Sequence, residues 1–84
     1  DSPVRQCVHR ITQRHRQAVA EALESARAMQ LIRQDLDCQA AAALFLGAIQ
    51  GLVIQAMLGA APAEVDAQGR GVLHLYLSGL GARP

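Results

Sequence analysis

The sequence has few of the residues from which active sites and metal centres are built. Its 84 residues include one Phe, one Tyr, no Trp and only two cysteines. Two cysteines cannot form a disulfide framework, and no Cys/His cluster has the spacing of metal ligands. We find no nucleophile beside a base, no paired carboxylates on an apolar face and no phosphate-binding loop. The sequence therefore predicts a protein that is not an enzyme and that needs no cofactor or metal.

Strong charge of one sign is also missing. All eight cations are arginines, seven residues are acidic, and the formal net charge is only +1. Proteins that bind nucleic acid usually carry a strong basic excess, which displaces counterions from the phosphates. We therefore do not expect this chain alone to bind DNA.

A chain of this length buries only about 60% of its unfolded surface, so its stability is marginal without help. Disulfides and metals are excluded above, which leaves association with a second subunit. The first residue is Asp1 rather than Met, and no signal peptide is visible. We therefore expect a cytoplasmic homodimer, and a chain that is either a fragment of a longer protein or a processed product.

Apolar residues recur at helical spacing through most of the chain, and 51% of the residues are hydrophobic. Ser2 and Pro3 have the pattern of an N-cap followed by proline in the first turn. Asp35 or Asp37 can cap the second helix, and the pattern leaves the choice open. The sequence thus predicts an all-α fold of three helices, at about residues 3–32, 37–58 and 62–80.

The second helix is uncharged and apolar all round, which is typical of a segment buried on every side. Gly47 and Gly51 form a G-x-x-x-G pair, which lets another helix approach closely. The same stretch is long enough to span a membrane. Gln39, Gln50 and Gln55 and the absence of interfacial Trp argue against a span. We therefore expect the central helix of a bundle and no membrane partner.

One histidine lies on an apolar stripe. His15 follows Val8 and Ile11 at helical spacing on the first helix, either as a hydrogen-bonded core residue or as a polar group in a ligand pocket. A buried glutamine in the second helix could likewise bond across a helix interface or orient a ligand. For a site that binds a small apolar effector, the candidates are Cys7, Ile11, His15, Phe45 and Gln50, all of which could equally be plain core.

Two segments resemble the last helices of TetR-family transcriptional repressors. The first is the run DCQAAAALFLGAIQGL at residues 37–52, followed by Met57-Leu58-Gly59, and the second is LHLYLSGL at residues 73–80. The resemblance implies that the second and third helices form a four-helix bundle with the same helices of a second subunit. It also implies that the first helix is one wall of an effector pocket, and that effector binding releases DNA from an N-terminal helix-turn-helix domain.

No helix-turn-helix is present in this sequence, so residues 1–84 would be part of the C-terminal regulatory and dimerisation domain of such a bacterial repressor. For the dimer interface we predict residues where close approach and aliphatic burial coincide: Gly47, Gly51, Ile54, Val72, Leu73, Tyr76 and Leu80. Two rival hypotheses remain, namely a small helical module that binds other proteins without a ligand, and a single membrane span.

Overall fold

The computed structural model describes residues 2–81, so residues 1 and 82–84 of the predicted domain lie outside the described part. It contains three α-helices, α1 (Pro3–Ala28), α2 (Cys38–Met57) and α3 (Pro62–Leu80), and no strand within the described residues. The all-α prediction and the number of helices are confirmed. The second and third helices begin and end within one residue of their predicted bounds.

The first helix ends four residues earlier than predicted. Gln30 has a left-handed backbone conformation with φ of 61°, which an α-helix cannot contain. The backbone N–H of Leu31 reaches back to the carbonyl of Ala26 at 3.0 Å, and that of Gln30 to Arg27 at 3.0 Å. These bonds satisfy the last carbonyls of α1, as is usual where a residue in the left-handed region ends a helix.

The caps explain where the helices begin. The Ser2 hydroxyl accepts a hydrogen bond from the N–H of Arg5 at 3.0 Å, as predicted. Asp37 rather than Asp35 caps α2, since its carboxylate accepts from the N–H of Ala40 at 3.1 Å. Asp35 instead pairs with the Arg33 guanidinium at 2.7 Å, which lowers the pKa of its carboxyl group. Of the two candidate caps, Asp37 is therefore the N-cap of α2.

The buried core is small and lies where the end of α1 meets the start of α2. Cys38, Ala41 and Ala42 of α2 pack against Ala20 and Leu23 of α1. Two further side chains, from the α1–α2 loop and from the end of α3, complete the cluster: Ile32 and Leu80. Four of these seven buried side chains are small, and small side chains let α1 and α2 approach closely.

The loop between α1 and α2 is held by hydrogen bonds. The Arg27 guanidinium donates to the carbonyl of Leu36 at 2.7 Å, and the Gln34 amide donates to the carbonyl of Arg27 at 2.9 Å. The backbone N–H of Arg33 donates to the carbonyl of Leu80 at 2.9 Å. The loop therefore ties the end of α3 to the α1–α2 corner.

The three helices form a single layer. The molecule measures 39 × 34 × 13 Å, and the shortest dimension is about the diameter of one helix. Its radius of gyration is 14.8 Å, against about 12 Å for a compact domain of this length. A stable domain normally packs two layers around one core. This chain supplies one layer, so both broad faces of that layer are open.

The prediction that α2 is buried on every side does not hold within one chain. Among its residues only Cys38, Ala41 and Ala42 are buried, whereas large apolar side chains such as Leu44, Val53 and Ile54 are exposed. The apolar character of α2 is therefore explained only if other protein covers it.

The closest packing in the core gives a first prediction. Ala42 is 0% exposed between α1 and α2, whereas Ala63 at the start of α3 is exposed. Ala42→Leu should force these helices apart and lower the free energy of unfolding by about 1–3 kcal/mol. Ala63→Leu, which adds the same atoms at an exposed position, should change it by less than about 0.5 kcal/mol. Urea unfolding followed by circular dichroism measures both, and equal effects would contradict the packing described.

Candidate functional site

The α2–α3 hairpin has two apolar sides. On one side a cleft of about 160 Å³ is lined only by apolar residues, glycine and tyrosine: Phe45, Ala48, Ile49, Leu52, Gly69, Val72, Leu73 and Tyr76. On the other side a shallower groove of about 510 Å³ is lined by Ala48, Gly51, Leu52, Gln55, Gln68, Gly71, Val72 and Leu75. We call these surfaces the cleft and the groove.

Helix geometry explains why the hairpin has two separate apolar sides. Successive residues of a helix are about 100° apart, so Leu73 and Leu75 point about 200° apart around α3. Leu73 lines the cleft and Leu75 lines the groove. Ala48 and Val72 lie where α2 faces α3 and line both surfaces. The cleft and the groove are therefore separated by the thickness of one helix pair.

An aromatic pair closes one end of the cleft. The rings of Phe45 and Tyr76 lie with their centroids 5.2 Å apart and tilted by 48°. The Tyr76 hydroxyl donates a hydrogen bond to the carbonyl of Ala41 at 2.6 Å. Partial burial raises the pKa of Tyr76, so the phenol stays a neutral donor at physiological pH. This bond fixes the position of α3 against α2.

The five candidate effector residues do not form one site in this structure. Phe45 lines the cleft, but the cleft contains none of Cys7, Ile11, His15 and Gln50. Cys7, His15 and Gln50 are exposed, and Ile11 is 48% exposed. Gln50 lies about 140° around α2 from Phe45, on another side of the helix. Their role in effector binding stays a prediction.

Half of the residues that line the cleft were not predicted as site residues: Ala48, Ile49, Leu52 and Gly69. Ile49 and Leu52 follow Phe45 at spacings of four and three, and Gly69, Leu73 and Tyr76 repeat the same spacing on α3. This pattern places each set on one side of its helix. Matching the two stripes would have predicted the cleft.

The predicted interface residues are distributed over both sides and the core. Gly51 and Val72 line the groove, and Leu73 and Tyr76 line the cleft. Gly47 and Ile54 are exposed, and a Cβ atom added at Gly47 or Gly51 would meet no other atom within 4 Å. Leu80 is only 6% exposed and is already buried in the core of its own chain. The open interface candidates are therefore the glycines, Ile54 and Leu73.

Among the described residues, no group of three or more His, Cys, Asp or Glu side chains could hold a metal ion. Burial raises the pKa of the Cys38 thiol, which keeps it protonated and unreactive.

Residues 1–72 match the family model described as the tetracyclin repressor-like C-terminal domain. The chain belongs to the TetR family. This finding confirms the resemblance seen in residues 37–52. The comparison with curated proteins found no match, and neither did the comparison with solved structures. The domain is that of a TetR-family transcriptional regulator, a family of soluble proteins.

The link between Tyr76 and α2 gives a second prediction. Tyr76→Phe removes the hydrogen bond to the Ala41 carbonyl but keeps the ring beside Phe45. We expect the free energy of unfolding to fall by about 0.5–1.5 kcal/mol. Tyr76→Leu also removes the ring contact and should cost more. Urea unfolding of both variants tests the order, and equal losses would show that the ring contact contributes nothing.

Proposed function

We propose that this chain is the dimerisation and effector-binding portion of a bacterial TetR-type repressor. The observation that carries the proposal is the single helical layer, which has apolar side chains on both broad faces. One face is suited to a second copy of the chain and the other to a small apolar effector. DNA binding, and its release when the effector binds, belong to an N-terminal helix-turn-helix domain that this sequence does not contain.

The surface area supports a dimer. The chain exposes 6278 Å², whereas a compact monomer of 8.9 kDa exposes about 4,800 Å². The excess exceeds the roughly 800 Å² that each partner buries in a standard interface. Leu44 and Leu75 beside the groove are 65% and 72% exposed. In the proposed dimer, α2 and α3 of two chains form a four-helix bundle that covers these leucines.

Close approach at Gly51 gives the third prediction. Light scattering over a range of concentrations should show a dimer that persists on dilution. Gly51→Leu adds a large side chain in the middle of the groove, so it should overpack the contact and drive the dimer toward monomer or aggregate. Ala63→Leu, at an exposed position at the start of α3, is the matched control and should keep the wild-type mass. An unchanged mass for Gly51→Leu would contradict the assignment.

The cleft supports the effector proposal. Its lining contains no charged side chain, so it suits a neutral, apolar molecule. At about 160 Å³ it is smaller than most ligand pockets, which start near 300 Å³. A complete pocket therefore needs a further wall. We infer that α1 and helices outside this sequence supply it.

The orientation of α1 is compatible with this arrangement. α1 packs on α2 through Ala20 and Leu23, and Ile11 and His15 lie about 80–120° around the helix from Leu23. The stripe formed by Ile11 and His15 therefore faces one of the two broad faces of the layer rather than α2. We assign this stripe to the face that carries the cleft, because the pocket needs a wall there. His15 would then supply a polar group at the edge of an otherwise apolar site.

A thermal-shift screen gives the fourth prediction. Neutral apolar compounds should raise the melting temperature of the chain, or of the full-length repressor where the pocket is complete. His15→Ala should reduce the shift, whereas His9→Ala, on another side of α1, should leave it unchanged. A compound whose shift survives His15→Ala would exclude a role for His15. A panel without any hit would favour the rival hypothesis of a protein-binding module without a ligand.

The membrane hypothesis has one observation in its favour. α2 is long and apolar enough to cross a bilayer, and only 11% of an apolar 18-residue window within it is buried in this chain. Membership of a family of soluble regulators favours a bundle helix instead. Purification of the chain as a defined dimer without detergent would exclude a membrane span.

A further inference from the structure

The two ends of the cleft differ in chemistry. At one end the rings of Phe45 and Tyr76 are in contact, with their centroids 5.2 Å apart. Seven residues along each helix, or about 10 Å away, Leu52 faces Gly69 at the other end. Among the glycines of α2 and α3, only at Gly69 would an added Cβ atom meet another side chain, since it would lie 3.8 Å from Leu52 Cδ1. A larger side chain at position 69 would therefore fill this end of the cleft.

The size of the cleft matches a single six-membered ring. Its volume is about 160 Å³. A cavity of about 150 Å³ lined by leucine, isoleucine and phenylalanine side chains stays dry and binds benzene. The lining here is of the same kind, and its open edges are formed by Ile49 and Leu73, which are 43% and 49% exposed. One ring fits in the cleft, and the rest of a larger effector would leave it at these edges.

The side chains that line the cleft offer a ligand no free hydrogen-bond donor. Tyr76 has the only oxygen among them, and its hydroxyl proton is donated to the Ala41 carbonyl at 2.6 Å. The lining residues all belong to α2 or α3, whose backbone N–H and C=O groups bond within the helices. A carbonyl or carboxylate group placed here would lose water without gaining a partner, which is unfavourable. The cleft therefore favours a hydrocarbon group.

The aromatic side chains of the chain are concentrated at this cleft. The sequence has one Phe, one Tyr and no Trp, and both aromatic residues line the cleft. Phe45 and Tyr76 are half-buried, and their rings are tilted by 48°. Aromatic rings attract one another in offset or edge-to-face arrangements, beyond the effect of burial alone. An aromatic ring beside this pair would gain that attraction, whereas a saturated ring of the same size would not.

We propose that the cleft binds one neutral aromatic ring of the effector, that Phe45 recognises the ring and that Gly69 leaves the space for it. The inference rests on the proposed effector role of the cleft and adds the chemical class of the group that it takes. Polar substituents of the effector lie at the open edges beside Ile49 and Leu73, where water and further helices can reach them.

Two ligands of similar shape test the aromatic preference. Toluene and methylcyclohexane are titrated into the chain, and the dissociation constants (Kd) are measured by NMR of the Leu, Ile and Val methyl groups. Because the two ligands also differ in hydration, the readout is the change in the ratio of their Kd values between variants. Phe45→Leu should shift this ratio toward methylcyclohexane by about two- to tenfold. Tyr76→Phe keeps both rings and should leave the ratio unchanged.

A substitution that fills the cleft tests the position of the ring. Gly69→Val should raise the Kd of toluene at least about tenfold, because the added side chain occupies the space of the ring. Valine is no weaker a helix former than glycine, so α3 should be retained. Ala67→Val places the same side chain at an exposed position on the opposite side of α3, and it should leave the Kd unchanged. Circular dichroism establishes that each variant is folded.

The outcomes separate this inference from the proposed function. In the wild-type chain, toluene should also give nuclear Overhauser contacts to the methyl groups of Leu52 and Leu73. A Kd ratio that Phe45→Leu does not change would overturn the aromatic preference while leaving the cleft as an effector site. Toluene binding that survives Gly69→Val would overturn the position of the ring. If neither hydrocarbon binds up to its solubility in water, the effector role of the cleft is itself overturned.

Discussion

The structure depends on one constraint, which is that α2 has more apolar surface than two neighbouring helices can cover. α1 covers the side of α2 that carries Ala42, and α3 covers the side that carries Phe45 and Ala48, through Tyr76 and Val72. Small residues at these contacts bring the helices close together but bury little area each, so they stabilise the chain only modestly. The remaining sides of α2 stay open, and this is why both broad faces of the layer expose apolar side chains.

The layer is well packed at one end and open at the other. The α1–α2 loop, the cap at Asp37 and the bond from Arg33 to Leu80 join all three helices at one corner, where the buried core lies. From Ser2 to Ala18 no residue of α1 is buried, and the second half of α2 has no buried residue either. The cleft lies outside the core cluster, and its apolar lining is the surface that a ligand or added helices can cover.

The sequence was sufficient for the fold class, the number of helices and most of their ends, because these depend on local features. Ser2, Asp37 and Pro62 act within one helical turn of themselves. The end of α1 was missed because Gln30 is not a residue type that marks the left-handed conformation. The cleft was missed because it depends on how the Phe45 stripe meets the Tyr76 stripe, which is a tertiary contact between distant segments. Leu80 was predicted to be buried at an interface, and its burial within its own chain was missed for the same reason, since it requires the α1–α2 loop to meet the end of α3.

Only one helix pair separates the cleft from the groove. This short separation connects the proposed effector site with the proposed dimer interface. Ala48 and Val72 form part of both surfaces, so a molecule that fills the cleft contacts the same residues that a second chain would contact from the other side. Packed helices do not deform continuously but shift as units, and small displacements at one surface are carried to the other. The Tyr76 hydroxyl bonded to the Ala41 carbonyl holds α3 against α2 at one end of the hairpin, and the loop of residues 58–61 joins the two helices at the other. In the proposed function, an effector in the cleft and a second chain in the groove would therefore be connected through the residues that both surfaces share, Ala48 and Val72.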